Sequence, residues 1–220
     1  MLHILIADDH PLFRLALRQA VCGVADDAHI DEADSLAAAR TKLQKRPDTD
    51  LVLLDLHMPD SHGLVGLASL RAEFPTCAVV MISAHDDPAT IRRALAYGAA
   101  GFIAKRAGLD ELHAGLRAVL ACEQWLPPGL RESVAGSPLA SADDALAARL
   151  NSLSPQQFRV LALIAKGLLN KQIADALAIQ ERTVKAHVTA IFEKLGVRNR
   201  TQAGVLLGSL HVPDGVDQAS

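Results

Sequence analysis

Aromatic residues are scarce in this 220-residue chain, since Trp, Tyr and Phe together make up 3% of it, although half of all residues are hydrophobic. A buried core must therefore be built mainly from Ala, Leu, Val and Ile. No run of 18 or more apolar residues occurs, so the usual signal of a membrane-spanning helix is missing. The length fits one large domain or two small ones.

Cysteines are few as well. Cys22, Cys77 and Cys122 are odd in number and far apart, which fits reduced cytoplasmic thiols better than a disulfide framework. No Cys and His spacing typical of a metal site occurs. The amino terminus lacks a basic region before its short apolar stretch, so we interpret that stretch as a buried strand and not as a secretory signal. We expect a cytoplasmic protein that does not enter a membrane.

The net charge of −3 hides an asymmetry along the chain. Residues 151–210 hold eight Lys and Arg against three Asp and Glu, a net charge of +5, whereas the rest of the chain carries −8. An acidic body joined to a basic end is typical of a protein in which only one part meets a polyanion.

Short apolar runs alternate with helical periodicity as far as about residue 120. The strand candidates are residues 3–7, 30–33, 51–54, 78–82 and 101–104. The helix candidates are residues 11–24, 35–46, 64–74, 88–97 and 109–121. This alternation predicts an α/β domain with a five-stranded, parallel, doubly wound sheet that helices cover on both faces.

The pattern changes after this first domain, which we place at residues 1–122. Residues 123–151 are rich in proline, glycine and serine and are interpreted as a linker, within which residues 142–150 suit a short helix. Residues 152–210 show only helical periodicity, in four short pieces, and predict a small all-α domain. Residues 211–220 are interpreted as a tail.

Polar side chains follow the predicted strands. Asp8 and Asp9 come after the first strand, Asp55 after the third, Ser83 after the fourth and Lys105 after the fifth. The carboxyl ends of parallel strands lie on one edge of a sheet, where ligands bind. We therefore expect these five side chains to converge.

The five residue types suit phosphoryl transfer. Crowded carboxylates repel one another unless a cation joins them, and their oxygens suit Mg²⁺. An aspartate beside Mg²⁺ can form an acyl phosphate, while the ammonium of Lys105 and the hydroxyl of Ser83 would stabilise the transferring group. Taken singly each residue has a plainer explanation, because an aspartate after a strand is most often a helix N-cap. The complete set favours a phosphoryl site.

Residues 1–122 resemble a CheY-like receiver domain of two-component response regulators. The matching segments are IADDH at 6–10, LLDLHMPD at 53–60, ISA at 82–84 and GFIAK at 101–105. The resemblance implies that Asp55 is the phosphoacceptor and that Lys105 assists it. It also implies that Ser83 and Phe102 form a switch pair, in which the hydroxyl moves to the phosphoryl group and the aromatic ring turns inward.

The same resemblance implies a Mg²⁺ site. Asp9 and Asp55 would bind the ion directly, together with the backbone carbonyl of His57, and Asp8 would act mainly through water. The side chain of His57 would face the site and influence the lifetime of the phosphoryl group.

In the all-α part, the helix predicted at residues 181–195 has two different faces. One face must point into the domain, because its apolar residues recur at spacings of four, three and four: Val184, Val188, Ile191 and Leu195. The other face carries only short or basic residues, Arg182, Lys185, Ala186 and Thr189. Such a helix suits the DNA major groove. A merely solvated face is the plainer reading for one helix, but the preceding short helix and turn and the local positive charge favour DNA.

This part resembles the LuxR-type helix-turn-helix, through AKGLLNKQIA at 165–174, TVKAHV at 183–188 and KLGVRNRTQA at 194–203. The resemblance implies base or groove contacts from Lys185, Ala186 and Thr189, and phosphate contacts from Lys171, Thr183 and Lys194. Gln180 stands where the family usually has a serine N-cap, so the start of the recognition helix is expected to be less well fixed.

Together the two halves resemble NarL/FixJ-type response regulators over nearly the whole chain. The resemblance implies a DNA-binding transcriptional regulator that a sensor histidine kinase phosphorylates on Asp55. Phosphorylation would favour a homodimer on double-stranded DNA, with residues 201–210 as the dimer surface, whereas the receiver would otherwise tend to mask the DNA-binding domain. The chain would not be an enzyme beyond slow autophosphatase activity.

Three alternatives differ in testable ways. A phosphatase of the haloacid dehalogenase type expects a second aspartate two residues after the nucleophile, where His57 stands. A small-molecule sensor with the same helix-turn-helix would lack the acidic set and Lys105. A degenerate receiver that controls the same DNA-binding domain without phosphorylation remains open.

Overall fold

The structure is a computed structural model that describes residues 1–130 and 140–210. The middle of the predicted linker, 131–139, and the predicted tail, 211–220, lie outside the described residues. Within the described part, no helix combines the length and the apolar character needed to cross a membrane.

The first domain is built on the predicted parallel sheet. Its strands are β1 (His3–Ala7), β2 (His29–Ala33), β3 (Leu51–Asp55), β6 (Ala78–Ser83) and β7 (Gly101–Ala104). They pair in the order β2-β1-β3-β6-β7, and every pairing is parallel. The predicted α/β fold is confirmed, and each strand lies within one residue of its predicted bounds.

Five helices cover the two faces of this sheet. They are α1 (Pro11–Cys22), α2 (Leu36–Lys45), α3 (Val65–Glu73), α4 (Pro88–Ala96) and α5 (Leu109–Leu120). Local chemistry fixes several starts, since Pro11 and Pro88 occupy first-turn positions and the Asp87 carboxylate accepts the Thr90 N–H at 2.9 Å. All five residues of β3 are buried, because helices cover this central strand from both sides.

A short hairpin follows β3 and was not predicted. Its strands β4 (His57–Met58) and β5 (Ser61–His62) pair antiparallel, and they occupy the loop between β3 and α3. Two-residue strands leave too short an alternation for a sequence pattern to show. Asp60, at the tip, accepts the N–H groups of Leu36 and Ala37 at 2.8 Å each, so the hairpin caps the start of α2.

The single tryptophan closes the free edge of the sheet. Trp125 pairs with Gly101 in an isolated parallel bridge, and its carbonyl accepts the Phe102 N–H at 3.0 Å. Its side chain packs against the backbone of Gly115, where an added Cβ would lie 2.9 Å from the indole Nε1. Glycine at this position of α5 therefore makes room for the indole ring.

The carboxyl-terminal part is all helical, as predicted. Its helices are α6 (Ala140–Asn151), α7 (Pro155–Ala165), α8 (Asn170–Leu177), α9 (Glu181–Leu195) and α10 (Arg200–Gly208). Ser154 and Gln157 form a reciprocal capping box at the start of α7. Gln180 makes no side-chain capping bond at the start of α9, as expected from the sequence. Ala178, in the left-handed conformation, ends α8 and makes the turn into α9.

The two domains pack on each other. Helix α3 contacts α6 and α7, and α4 contacts α6. Phe158, Leu207 and Leu210 are at most 3% exposed, and the buried apolar cluster that contains them also contains core residues of the first domain. The receiver-like domain therefore covers α7 and the end of α10.

Candidate acidic site and nucleic-acid interface

The carboxyl edge of the sheet gathers the polar residues that the sequence placed after its strands. Lys105 lies between two carboxylates, with its Nζ 2.8 Å from Asp55 Oδ2 and 2.8 Å from Asp8 Oδ2. Asp8 is 1% exposed and Asp55 is 4% exposed. The ends of β1, β3 and β7 bring the three side chains together, although almost a hundred residues separate the first from the last.

The charges in this cluster affect one another. Burial raises the pKa of Asp55, and the nearby Asp8 raises it further, while the hydrogen bond from Lys105 opposes the shift. Burial acts to lower the pKa of Lys105, but its bonds to Asp55 and Asp8 outweigh this effect, so the pKa of Lys105 is raised. The ammonium of Lys105 is therefore stabilised in its charged form, whereas ionisation of the neighbouring Asp55 carboxyl group costs free energy.

His10 had no predicted role, yet the structure places it in this cluster. Its Nδ1 lies 2.7 Å from Asp9 Oδ1 and 3.2 Å from Asp8 Oδ1. One potential ligand atom from each of Asp8, Asp9, His10 and Asp55 lies within 4.8 Å of the others. A histidine directly after two strand-end aspartates was visible in the sequence, but the pattern did not show which way its ring would turn.

The predicted switch residues are both buried. The Ser83 hydroxyl accepts the His85 N–H at 2.9 Å, so it bonds to the loop that follows its own strand. Phe102 is 0% exposed and belongs to the core between the sheet and the helices α2, α3 and α4. The His57 N–H donates to Asp55 Oδ1 at 3.3 Å, so the loop backbone already contacts the carboxylate.

A cleft of about 560 Å³ opens above Asp55. The cleft lies between the start of α1 and the loops after β3 and β6. The residues that line it are His10, Leu12, Phe13, Ala16, Asp55, His57, Ala84, His85 and Lys105. The rings of His57 and His85 meet edge to face with centroids 5.3 Å apart, and the Lys105 ammonium lies 5.0 Å from the centroid of the Phe13 ring. Asp55 is thus reached through an open, largely apolar mouth.

Asp55→Asn should make the chain more stable at neutral pH, by about 1 kcal/mol. The pKa of Asp55 is raised in the fold, so its ionised form destabilises the native state, and a neutral isostere removes that cost. The advantage should shrink as the pH falls through the raised pKa towards 3.8, because the wild-type carboxyl then takes up its proton. Urea unfolding of both proteins at pH 7 and pH 4 measures the difference, and an asparagine variant less stable than wild type at pH 7 would contradict it.

Helix α9 shows the two faces that the sequence predicted. Val184, Ile191 and Leu195 are 0% exposed, whereas the residues of the opposite face are exposed: Arg182, Lys185, Ala186 and Thr189. Lys171, at the start of α8, is exposed and Thr183 is half-buried. The receiver-like domain covers α7 and the end of α10 but leaves the outer face of α9 exposed. The resemblance implies that the receiver masks the DNA-binding domain, and in this structure the covered surface does not include the residues predicted to contact DNA bases.

Several of the predicted DNA contacts already have partners within the chain. Lys185 Nζ lies 3.0 Å from Glu181 Oε1 on the same helix, where both groups are exposed. The Thr189 hydroxyl donates to the Lys185 carbonyl at 3.1 Å. The Lys194 ammonium donates to the Ser152 carbonyl at 2.7 Å and to Gln157 Oε1 at 2.8 Å. Lys194 thus ties α9 to the start of α7, and a phosphate contact would have to replace these bonds.

Comparison with known proteins agrees with this arrangement. Residues 4–117 match the family model described as response regulator receiver domain, and residues 151–207 match the one described as bacterial regulatory proteins, luxR family. The glycerol metabolism activator of Pseudomonas putida is 40% identical over 96% of this chain and 96% of its own length. The chain belongs to the NarL/FixJ family of response regulators.

Other members of the NarL/FixJ family extend the comparison. The nitrate/nitrite response regulator NarL of Escherichia coli K12 is 34% identical, over 92% of this chain and 93% of its own length. The structure of Salmonella RcsB bound to the promoter rprA with a phosphomimetic has a TM-score of 0.57 at 23% identity, and covers 96% of this chain and 100% of its own. That likeness supports the fold. This NarL/FixJ response regulator joins a receiver domain to a LuxR-type DNA-binding domain and regulates transcription.

Proposed function

We propose that phosphorylation of Asp55 by a partner histidine kinase controls DNA binding by this response regulator. The observation that carries the proposal is the Lys105 ammonium, held 2.8 Å from both Asp55 and Asp8 at the bottom of an open cleft. A buried carboxylate that a donor can reach, beside a fixed cation, is suited to accept a phosphoryl group. The five chemically matched residues give no support to a degenerate receiver.

Asp55 supplies the attacking oxygen, and its burial leaves the carboxylate short of solvation, which raises its pKa. The phosphoryl group adds negative charge at a place that already holds Asp8. Lys105, which contacts both Asp55 and Asp8, offsets the added negative charge. The Ser83 hydroxyl oxygen accepts the His85 N–H, and its own O–H can donate to a phosphoryl oxygen. Phe102 lies on the adjacent strand and would adjust with it, which links the site to the face around α4.

The donor set fits Mg²⁺. Asp8, Asp9 and Asp55 offer carboxylate oxygens in one compact group, and oxygen ligands with open positions for water and phosphate are what this ion prefers. Asp9 and Asp55 would hold it, with the His57 carbonyl, and Asp8 would support it through water. When bound, Mg²⁺ would neutralise charge on the transferring phosphoryl group.

DNA binding would use the exposed face of α9. Lys185, Ala186 and Thr189 would contact base edges, while Lys171 and Thr183 would contact phosphates. One structure of RcsB is described as two dimers bound to two parallel DNAs, and we extend a dimeric assembly to this chain as a phosphorylation-favoured homodimer. We further propose that the protein acts in the cytoplasm, and that it is a switch with slow phosphate release and not a metabolic enzyme.

The experiment treats the full chain with Mg²⁺ and a small phosphodonor such as acetyl phosphate. We expect one phosphoryl group on the peptide that contains Asp55, a shift from monomer to dimer in size-exclusion chromatography with light scattering, and tighter binding of promoter DNA. Mass spectrometry locates the group, and fluorescence anisotropy measures DNA affinity. Dimerisation and DNA binding that ignore the donor would favour the degenerate receiver.

A further inference from the structure

The ring of His10 gives the acidic site a nitrogen atom that a magnesium site does not need. Mg²⁺ prefers oxygen ligands and keeps several waters, whereas an imidazole nitrogen suits Zn²⁺ and other transition-metal ions. His10 Nδ1 lies 2.7 Å from Asp9 Oδ1, 3.2 Å from Asp8 Oδ1 and 3.9 Å from Asp55 Oδ2. One nitrogen therefore faces an oxygen atom of each carboxylate in the site.

The closest of these three contacts is not a hydrogen bond. The His10 ring nitrogen makes its hydrogen bond with Asp8 Oδ1, at 3.2 Å. Asp9 Oδ1 is buried and has no hydrogen-bond partner among the described residues, although the ring nitrogen is 2.7 Å away. A buried carboxylate oxygen without a hydrogen bond costs free energy. A cation shared by Asp9 and His10 would satisfy this oxygen.

The site offers four ligand atoms, the number that fills a tetrahedral zinc site. One atom each from Asp8, Asp9, His10 and Asp55 lies within 4.8 Å of the others. Ligands bound at about 2.0–2.2 Å lie at most about 4 Å apart, so a short movement closes the group around an ion. The side chains of His10 and Asp9 are 66% and 34% exposed and have room for that movement. Lys105 bonds to Asp8 through Oδ2, which leaves Oδ1 for the ion.

We propose that Zn²⁺ binds to this site through Asp8, Asp9, His10 and Asp55, and that it then blocks phosphorylation. A catalytic metal ion keeps a position open for its substrate, whereas a tetrahedral ion with four protein ligands has none. The ion also engages the Asp55 carboxylate that would attack the phosphoryl group. Mg²⁺ does not use the imidazole, so His10 determines which ion the site favours. The zinc site stands on the contacts of His10, whereas the block rests on the proposed phosphorylation of Asp55.

Isothermal titration calorimetry of the full chain with Zn²⁺ and, separately, with Mg²⁺ tests the site. His10→Gln removes the nitrogen ligand, and we expect the ratio of Zn²⁺ affinity to Mg²⁺ affinity to fall at least about tenfold. His85→Gln is the matched control and should keep the wild-type ratio, because His85 lines the same cleft but supplies none of the four atoms. An unchanged ratio in His10→Gln, or an equal fall in both variants, would overturn the zinc site.

The block is tested by labelling the wild-type chain with acetyl phosphate and Mg²⁺, with and without enough Zn²⁺ to saturate the site. Mass spectrometry of the intact chain should show that Zn²⁺ lowers the phosphorylated fraction at least about tenfold. The fraction of labelling that Zn²⁺ removes should be much smaller in His10→Gln at the same Zn²⁺ concentration. Full labelling of the zinc-bound wild type would overturn the block. If Mg²⁺ alone supports no labelling, the proposed function fails, and the titrations alone decide the zinc site.

Discussion

Asp55→Asn should abolish phosphorylation and every response to a phosphodonor. The amide offers no anionic oxygen to attack the phosphoryl group, and Asp55, unlike Asp8 and Asp9, lines the cleft through which a donor arrives. We expect acyl phosphate to fall at least about 100-fold in phosphoprotein assays. DNA affinity and oligomeric state should then stay at their untreated values with or without donor.

The fold should survive this substitution, since removal of a buried charge is expected to stabilise it. Circular dichroism and urea unfolding therefore separate lost chemistry from lost structure. Asp110→Asn, in the exposed first turn of α5, is the matched control and should keep full donor dependence. If Asp55→Asn still dimerised and bound DNA in response to the donor, the proposed switch would be wrong.

Lys185→Glu should cause the largest loss of DNA binding from a single residue outside the acidic site. Lys185 lies in the middle of the exposed face of α9, and its intrahelical pair with Glu181 is exposed and therefore weak. Reversal of its charge removes a contact in the groove and repels the phosphate backbone. We expect a loss on the order of 1–3 kcal/mol, about fivefold to 150-fold in affinity.

Arg159→Glu is the control for Lys185→Glu. It makes the same change of charge in the same domain, on α7, where Arg159 is exposed and lies outside the exposed face of α9. Fluorescence anisotropy over a range of salt concentrations should show a steep fall in wild-type affinity and a shallower one for Lys185→Glu, because fewer counterions are released. Equal losses in both variants would mean that overall charge, and not the face of α9, governs binding.

The features of this protein that repeat along the chain at a fixed spacing were predictable from its sequence. The five strands and the nearby helices follow from apolar periodicity, and the meeting of Asp8, Asp55 and Lys105 follows from the rule that parallel strands end on one edge. The buried face of α9 was equally predictable, since Val184, Ile191 and Leu195 lie one or two helical turns apart. Each of these features depends on residue type at a fixed spacing, which a sequence records directly.

Features that depend on the direction of one side chain, or on contact between distant elements, were not predictable. His10 joins the acidic cluster because of its ring orientation, and Lys194 bonds to Ser152 because of how α9 crosses α7. The contact between Leu64 and Leu210 joins two backbone groups, and backbone groups are the same in every residue. No pattern of side chains could have indicated it.

The glycine at position 115 and the edge position of Trp125 have a practical consequence. The chain contains one tryptophan and one tyrosine, so its intrinsic fluorescence comes almost entirely from a single indole. That indole packs on α5, and its own backbone bonds to Phe102 of β7. Movement of Phe102 should therefore change the emission spectrum of the unlabelled protein, and stopped-flow mixing with a phosphodonor can follow the switch in real time.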